Sequence, residues 1–227
     1  MSKSNKTSNW VKKHSQDSFV KKSIQEKYRS RAAYKLKEID DKYRIFSKQK
    51  SVIDLGCAPG SWLQLLKEYK NIQIIVGIDL KDINPIENIK FIKGDINNSS
   101  ILSELSRQNI GKTGVVLSDI APNITGISDI DQSNFSEIAL NILVFCKSIL
   151  KPKGMLVMKY FLGSGIEDTK KLLNKSWEYF LCHLKNDLLR LLSELLCLLE
   201  QEKRRSSISK LIIIFIIYRV KPTHFIP

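Results

Sequence analysis

The stretch SVIDLGCAPGSW, Ser51 to Trp62, joins an apolar run to a glycine-containing turn and then to the start of an amphipathic segment, SWLQLLKEYK. Glycines at 56 and 60 let a ligand approach the main chain closely, and the amides that open the following helix face the same space. The pair has the form G-x-x-x-G. It lacks the G-x-G-x-x-G of dinucleotide-binding turns, which disfavours a nicotinamide cofactor. Taken alone, the stretch also reads as a plain tight turn.

On either side the same alternation continues. Short apolar runs (IQIIVGIDL, IKFIKGD, GVVLSDI, GMLVMKYF) alternate with helical patterns (SSILSELSRQ and SNFSEIALNILVFCKSIL). Strands that are apolar throughout and separated by helices indicate a parallel sheet covered on both faces. The expected fold is therefore α/β, a doubly wound, mostly parallel, Rossmann-like sheet whose core spans residues 51–165. Residues 1–50 form a basic extension: a polar, flexible arm to about residue 23, then one helix with Ala33, Leu36, Ile39 and Tyr43 at helical spacing. Residues 166–227 form a Leu-rich tail in which SISKLIIIFIIYRV is a candidate last strand.

Ligands of such sheets bind beyond the carboxyl ends of the strands. The polar residues there are Asp79, 19 positions after Gly60, then Asp95, then Asp119 in SDIAPN. Each aspartate alone is more often a turn or cap residue. In succession behind the glycine turn they favour an adenosine-containing ligand, with Asp79 accepting from ribose hydroxyls and Asp95 beside the base. Lys159 stands out in GMLVMKYF. It is either an edge residue whose head reaches water or a functional group opposite Asp119.

The formal net charge of +14 is unevenly spread. Residues 1–50 hold 15 Lys and Arg against 5 Asp and Glu, residues 51–169 hold 11 against 13, and residues 170–227 hold 11 against 5. A near-neutral middle with basic margins suits a small-ligand domain that meets a polyanion, nucleic acid first of all. Arg29, Arg31, Lys35 and Lys37 make the densest cationic stretch, with Tyr28 and Tyr34 expected to stack on bases. Four cysteines without a C-x-x-C pair give no reason to expect a metal. The opening MSKSNKTSNWVKKHSQ has no apolar core of a signal peptide, and LIIIFIIY falls far short of the roughly 20 residues that span a bilayer. A cytoplasmic protein is expected, with an organellar one as the alternative.

Together the motifs resemble the FtsJ/RrmJ (RlmE) family of S-adenosylmethionine-dependent ribose 2′-O-methyltransferases. The matching segments are YRSRAAYKL, DLGCAPGSW, IDL, GD, SDIAPN with the following TG, and MKYF, in order between about residues 10 and 165. The resemblance implies a class I methyltransferase fold with Gly56, Gly60, Trp62, Asp79, Asp95 and Asp119 around S-adenosylmethionine. It further implies a catalytic K-D-K-E set whose first three members match Lys35, Asp119 and Lys159. The fourth has no match. Glu194 lies in a Leu-rich context and is not assigned the role, so the tail has either diverged or is altered in frame after Thr169.

Methyl transfer to a hydroxyl chiefly needs alignment and removal of the hydroxyl proton. Lys159 is the expected proton acceptor, positioned by Asp119 and Lys35. RNA is the expected methyl acceptor because it carries a 2′-hydroxyl, with Arg29, Arg31 and Lys37 on its backbone. Within the family, SDIAPN and the basic arm look more like the ribosomal than the transfer RNA branch. This implies a uridine in the A loop of large-subunit ribosomal RNA, met on an assembling particle. The alternatives are a transfer RNA 2′-O-methyltransferase and an assembly factor that binds RNA without turnover. Oligomeric state is not legible.

Overall fold

The computed structural model describes residues 18–161 and 213–219. The chain divides into two compact units, Met1–Gly111 and Lys112–Pro227, so the boundary falls inside the core expected over residues 51–165.

In the first unit, helices α1 (Ser18–Gln25) and α2 (Ala32–Tyr43) precede β1 (Ser51–Leu55) and α3 (Ser61–Lys67). Strands β2 (Ile74–Asp79) and β3 (Lys90–Lys93) and helix α4 (Ser100–Arg107) follow. The strands pair in parallel, with Ile53 beside Val76 and Ile78 beside Ile92. All of β1 is buried, as an uninterrupted apolar run requires. Helix α4 turns Ile101 and Leu105, one helical turn apart, into the interior.

Helix α2 buries Ala33, Tyr34, Leu36 and Asp40 and leaves Arg31, Lys35 and Lys37 around it exposed. It stops where Arg44 turns left-handed (φ 52°) and donates its N–H to the Asp40 carbonyl at 2.7 Å. The Asp40 carboxylate accepts the Phe46 N–H at 2.9 Å and the Tyr69 hydroxyl at 2.8 Å, which fixes the chain on its way to β1. Leu36 and Phe46 are fully enclosed. Truncating such a leucine to alanine typically costs about 2–5 kcal/mol.

The basic extension differs from its sequence reading. Residues 18–23 of the supposed flexible arm are helical, and the single helix expected from residue 23 is broken in two. Lys27 takes φ 59° and the Tyr28 N–H closes on the Ser23 carbonyl at 2.8 Å. Helical spacing from Ala33 onward carried no signal of this break, because residues 26–31 are polar and their conformation is set by bonds to α3.

In the second unit, β4 (Thr113–Ser118), helix α5 (Ser128–Ile149) and β5 (Leu150–Phe161) are followed by β6 (Ile213–Arg219). β4 and β5 are parallel. β6 runs antiparallel along β5, from Met155 beside Arg219 to Phe161 beside Ile213. The candidate last strand is thus formed. The strand expected from Gly154 begins pairing at Leu150, with a register shift between Thr113 and Val115 that absorbs the intervening residues. The helix expected from Ser133 begins at Ser128. Glu194 and the rest of the tail lie outside the described residues.

The strand and helix alternation is that of a doubly wound, Rossmann-like fold carrying an antiparallel final strand. Among the described residues no helix is long and apolar enough to cross a membrane.

Candidate active site

The first unit builds a cradle from the end of β1 and the end of β2. Gly56 (φ 70°) and Gly60 (φ 101°) both take conformations that a side chain disfavours. The Gly56 N–H bonds the Ile78 carbonyl at 2.8 Å, which ties the turn to β2. A Cβ on Gly60 would come within 2.8 Å of Arg29 Nη1 and 3.3 Å of Ile86 Cδ1, so a side chain there would push the tip of Arg29 aside. Asp79 follows at the end of β2. Its Oδ2 accepts the Ala58 N–H at 2.7 Å and its Oδ1 accepts the Lys81 N–H at 2.8 Å. A carboxylate has about four acceptor positions, so two remain for hydroxyl groups. A turn whose two glycines take positive φ, beside a strand-end carboxylate, fits the adenosine of S-adenosylmethionine.

Cys57 sits within this turn. Burial, then the charges of Asp54 and Asp79, push its thiol up, so it stays protonated and is no nucleophile at neutral pH. Asp54, at the end of β1, is itself buried.

The second unit brings a lysine and an aspartate together. The last registered pair of β4 and β5 is Ser118 beside Met158. One residue further along each strand stand Asp119 and Lys159, which parallel pairing brings side by side. Lys159 Nζ lies 2.6 Å from Asp119 Oδ1 and donates to the Asp119 carbonyl at 2.9 Å. The two side chains keep only 13% and 31% of their surface. Lys159 is also flanked by β6, in register with Phe215. It is therefore no edge lysine, and its ammonium is held on the loop that follows β4.

That loop has an anchor absent from the sequence reading. Asp131, in the first turn of α5, accepts the Thr125 N–H at 2.7 Å, the Thr125 hydroxyl at 2.8 Å and the Gly126 N–H at 3.0 Å. The Thr125 main-chain bond above all holds its carboxyl below the usual range. An acidic residue in a first helical turn is the only sequence signal it gives.

Several expected site residues have other partners. Trp62 is 3% exposed and donates Nε1–H to the Ala32 carbonyl at 2.7 Å, so it braces α2 against α3 and offers a ligand almost no surface. Asp95 is exposed, and its Oδ1 accepts the Asn97 N–H at 2.9 Å in a turn of its own. Tyr34, expected to stack on bases, is instead 5% exposed. It donates to Glu26 at 3.0 Å and packs edge-on against Tyr28, and burial followed by Glu26 raises its hydroxyl to about 12. It was misread because its neighbours are cationic, whereas position 34 falls on the buried face of α2. The Tyr28 hydroxyl is bonded to Glu68. Arg29, expected among the RNA contacts, places its guanidinium on the Pro59 and Pro85 carbonyls. Lys35, Arg31 and Lys37 are exposed.

A Rossmann-like α/β fold with a glycine turn, an adenosine-type carboxylate and a lysine–aspartate pair at strand ends defines a nucleoside-binding transferase of the methyltransferase class. The chain belongs to the FtsJ-like methyltransferase family, which matches residues 28–184. It is an S-adenosylmethionine-dependent methyltransferase. It is 38% identical over 171 residues to the ribosomal RNA large subunit methyltransferase E of Methylobacillus flagellatus, covering 74% of this chain and 83% of that protein. It is 41% identical over 168 residues to the protein of the same name from Pelagibacter ubique, with the same coverage of 74% and 83%. A crystal structure from Plasmodium falciparum, described as that of a ribosomal RNA methyltransferase, superposes with a TM-score of 0.61 at 36% identity, covering 66% of this chain and 88% of that one.

Proposed function

We propose that the protein methylates a ribose 2′-hydroxyl of large-subunit ribosomal RNA, with Lys159 as the proton acceptor. The observation that carries this reading is the placement of Lys159 Nζ on both the carboxylate and the carbonyl of Asp119. The names of the relatives support the choice of RNA.

S-adenosylmethionine supplies an electrophilic methyl carbon on a sulfonium. The chain's residues do the rest. Gly56, Gly60 and Asp79 hold the nucleoside, with Asp95 beside the base. Asp119 fixes the lysine nitrogen in space by two bonds, so that its position does not depend on the flexible four-carbon stem. A hydroxyl oxygen that gains a methyl group must release its proton, and Lys159 receives it on a free amine, having first lost one ammonium proton to solvent water. Lys35 orients the ribose, and Arg31 and Lys37 engage phosphates without reading sequence. An A-loop uridine is the proposed target, on an assembling large-subunit particle.

The test is transfer of labelled methyl groups to large subunits and to ribosomal transcripts, followed by mapping of the methylated ribose. Lys159→Ala should lower turnover by about 10²–10⁴-fold, the usual worth of a positioned acid or base, while donor affinity is retained. Near-normal turnover in that variant would refute the assignment. RNA binding by the wild-type protein with no incorporation would show an assembly factor, and incorporation into transfer RNA alone would move the substrate class.

A further inference from the structure

The loops on either side of Asp79 are tied together twice. The Asp79 carboxylate accepts the N–H groups of Ala58, in the glycine turn, and of Lys81, in the loop after β2. The Arg29 guanidinium, in turn, donates to the carbonyls of Pro59 at 2.9 Å and Pro85 at 3.3 Å, one from each of the same two loops. One carboxylate and one guanidinium thus each bridge the same two loops.

Arg29 is held for this purpose from behind. Its N–H donates to Gln64 Oε1 at 2.8 Å, and the Gln64 amide returns a bond to the Lys27 carbonyl at 3.0 Å. The hydroxyls of Ser30 and Ser61 meet at 2.7 Å, and Trp62 takes the Ala32 carbonyl. Residues 27–32 therefore lie along α3 as a strap. Glycine at position 60 leaves the tip of Arg29 in place, because a Cβ there would meet Nη1.

We propose that Arg29 is a positioning residue for the methyl-donor site: by bridging the Pro59 and Pro85 carbonyls it sets the width of the gap in which the Asp79 carboxylate meets the donor's ribose. The inference rests on reading that gap as the donor site. It gives an arginine of the basic stretch a role other than phosphate contact. A planar guanidinium can reach two carbonyls at once, which a lysine ammonium on a flexible stem does poorly.

The test is calorimetric titration of S-adenosylhomocysteine, without RNA, into the full-length wild-type, Arg29→Ala and Arg29→Lys proteins, alongside the salt dependence of ribosomal RNA binding. The expected result is about tenfold weaker binding of S-adenosylhomocysteine by Arg29→Ala and an intermediate loss in Arg29→Lys. Partial rescue of Arg29→Ala by millimolar methylguanidine is expected, as is an unchanged slope of log Kd for RNA against log salt concentration. Should the alanine variant fail to fold, Arg29→Lys carries the same comparison. Wild-type affinity for S-adenosylhomocysteine in the variants would overturn the proposal, and so would a salt slope lowered by about one with donor binding intact, the mark of a phosphate contact. Absence of binding by the wild-type protein would overturn the donor-site reading itself and this proposal with it.

Discussion

Replacing Gly60 by alanine tests the cradle at its narrowest point. Two effects are expected, and both follow from geometry. At φ 101° an L-residue is strained, by about 1–2 kcal/mol for a left-handed position. The added Cβ would stand 2.8 Å from Arg29 Nη1 and 3.3 Å from Ile86 Cδ1. Displacing the arginine from the Pro59 carbonyl forfeits a hydrogen bond worth about 1 kcal/mol. Relaxation of the free loop into a shape that alanine tolerates would place this sum on donor binding, where the glycine geometry has to be regained. About 2–3 kcal/mol corresponds to roughly 30- to 150-fold weaker donor affinity. Equilibrium binding of S-adenosylhomocysteine measures it directly. Gly111→Ala is the control, since nothing lies within 4 Å of a Cβ there; reduced freedom of the unfolded chain should leave that variant unchanged or more stable by about 0.4–1 kcal/mol. A Gly60→Ala protein that binds within threefold of wild type would refute the claim that donor binding needs the glycine geometry of this turn.

Three further outcomes are expected. Asp131→Asn should loosen the loop after β4, because an amide cannot accept from Thr125 and Gly126 at both of its ends. Since the native carboxyl titrates below its unfolded value, its contribution is complete above the unfolded value near pH 4 and is lost as pH falls through the native one; the wild-type-minus-variant gap in Tm should be full at neutral pH and close in acid. Trp62→Phe, which deletes the 2.7 Å bond to the part-buried Ala32 carbonyl, should lower unfolding free energy by about 1 kcal/mol in urea titrations, the net worth of one such hydrogen bond; an unchanged midpoint would contradict the bracing role. Arg31→Ala and Lys37→Ala should each weaken ribosomal RNA binding and reduce its salt slope by about one, with donor affinity unchanged; a slope equal to wild type would remove these residues from the RNA surface.

What the sequence disclosed and what it hid have physical reasons. The strand ends were legible because a buried parallel strand is apolar until it reaches solvent, so Asp79, Asp119 and Lys159 interrupt a monotonous background. Parallel register then brings the last two together, one step past Ser118 and Met158. The strap at residues 27–32 was not legible: Arg29 meets Pro59 and Pro85 across 30 and 56 residues, and a cationic stretch offers no local sign of which charges face inward. Tyr34 was misjudged on the same ground, as an aromatic residue among cations that turns out to be buried against Tyr28 and Glu26. Asp131 was overlooked because an acidic residue in a first turn is commonplace, and its three donors lie in a loop without periodicity.

The antiparallel partner of β5 has a consequence for how the chain can fail. From Met155 to Phe161 the outer side of β5 is bonded by Ile213–Arg219. A chain stopped before Ile213 would present that side as a bare, mostly apolar template, ready to recruit a strand from another molecule. Premature termination should therefore produce insoluble protein rather than a soluble fragment, even though Lys159 and Asp119 are upstream of the stop.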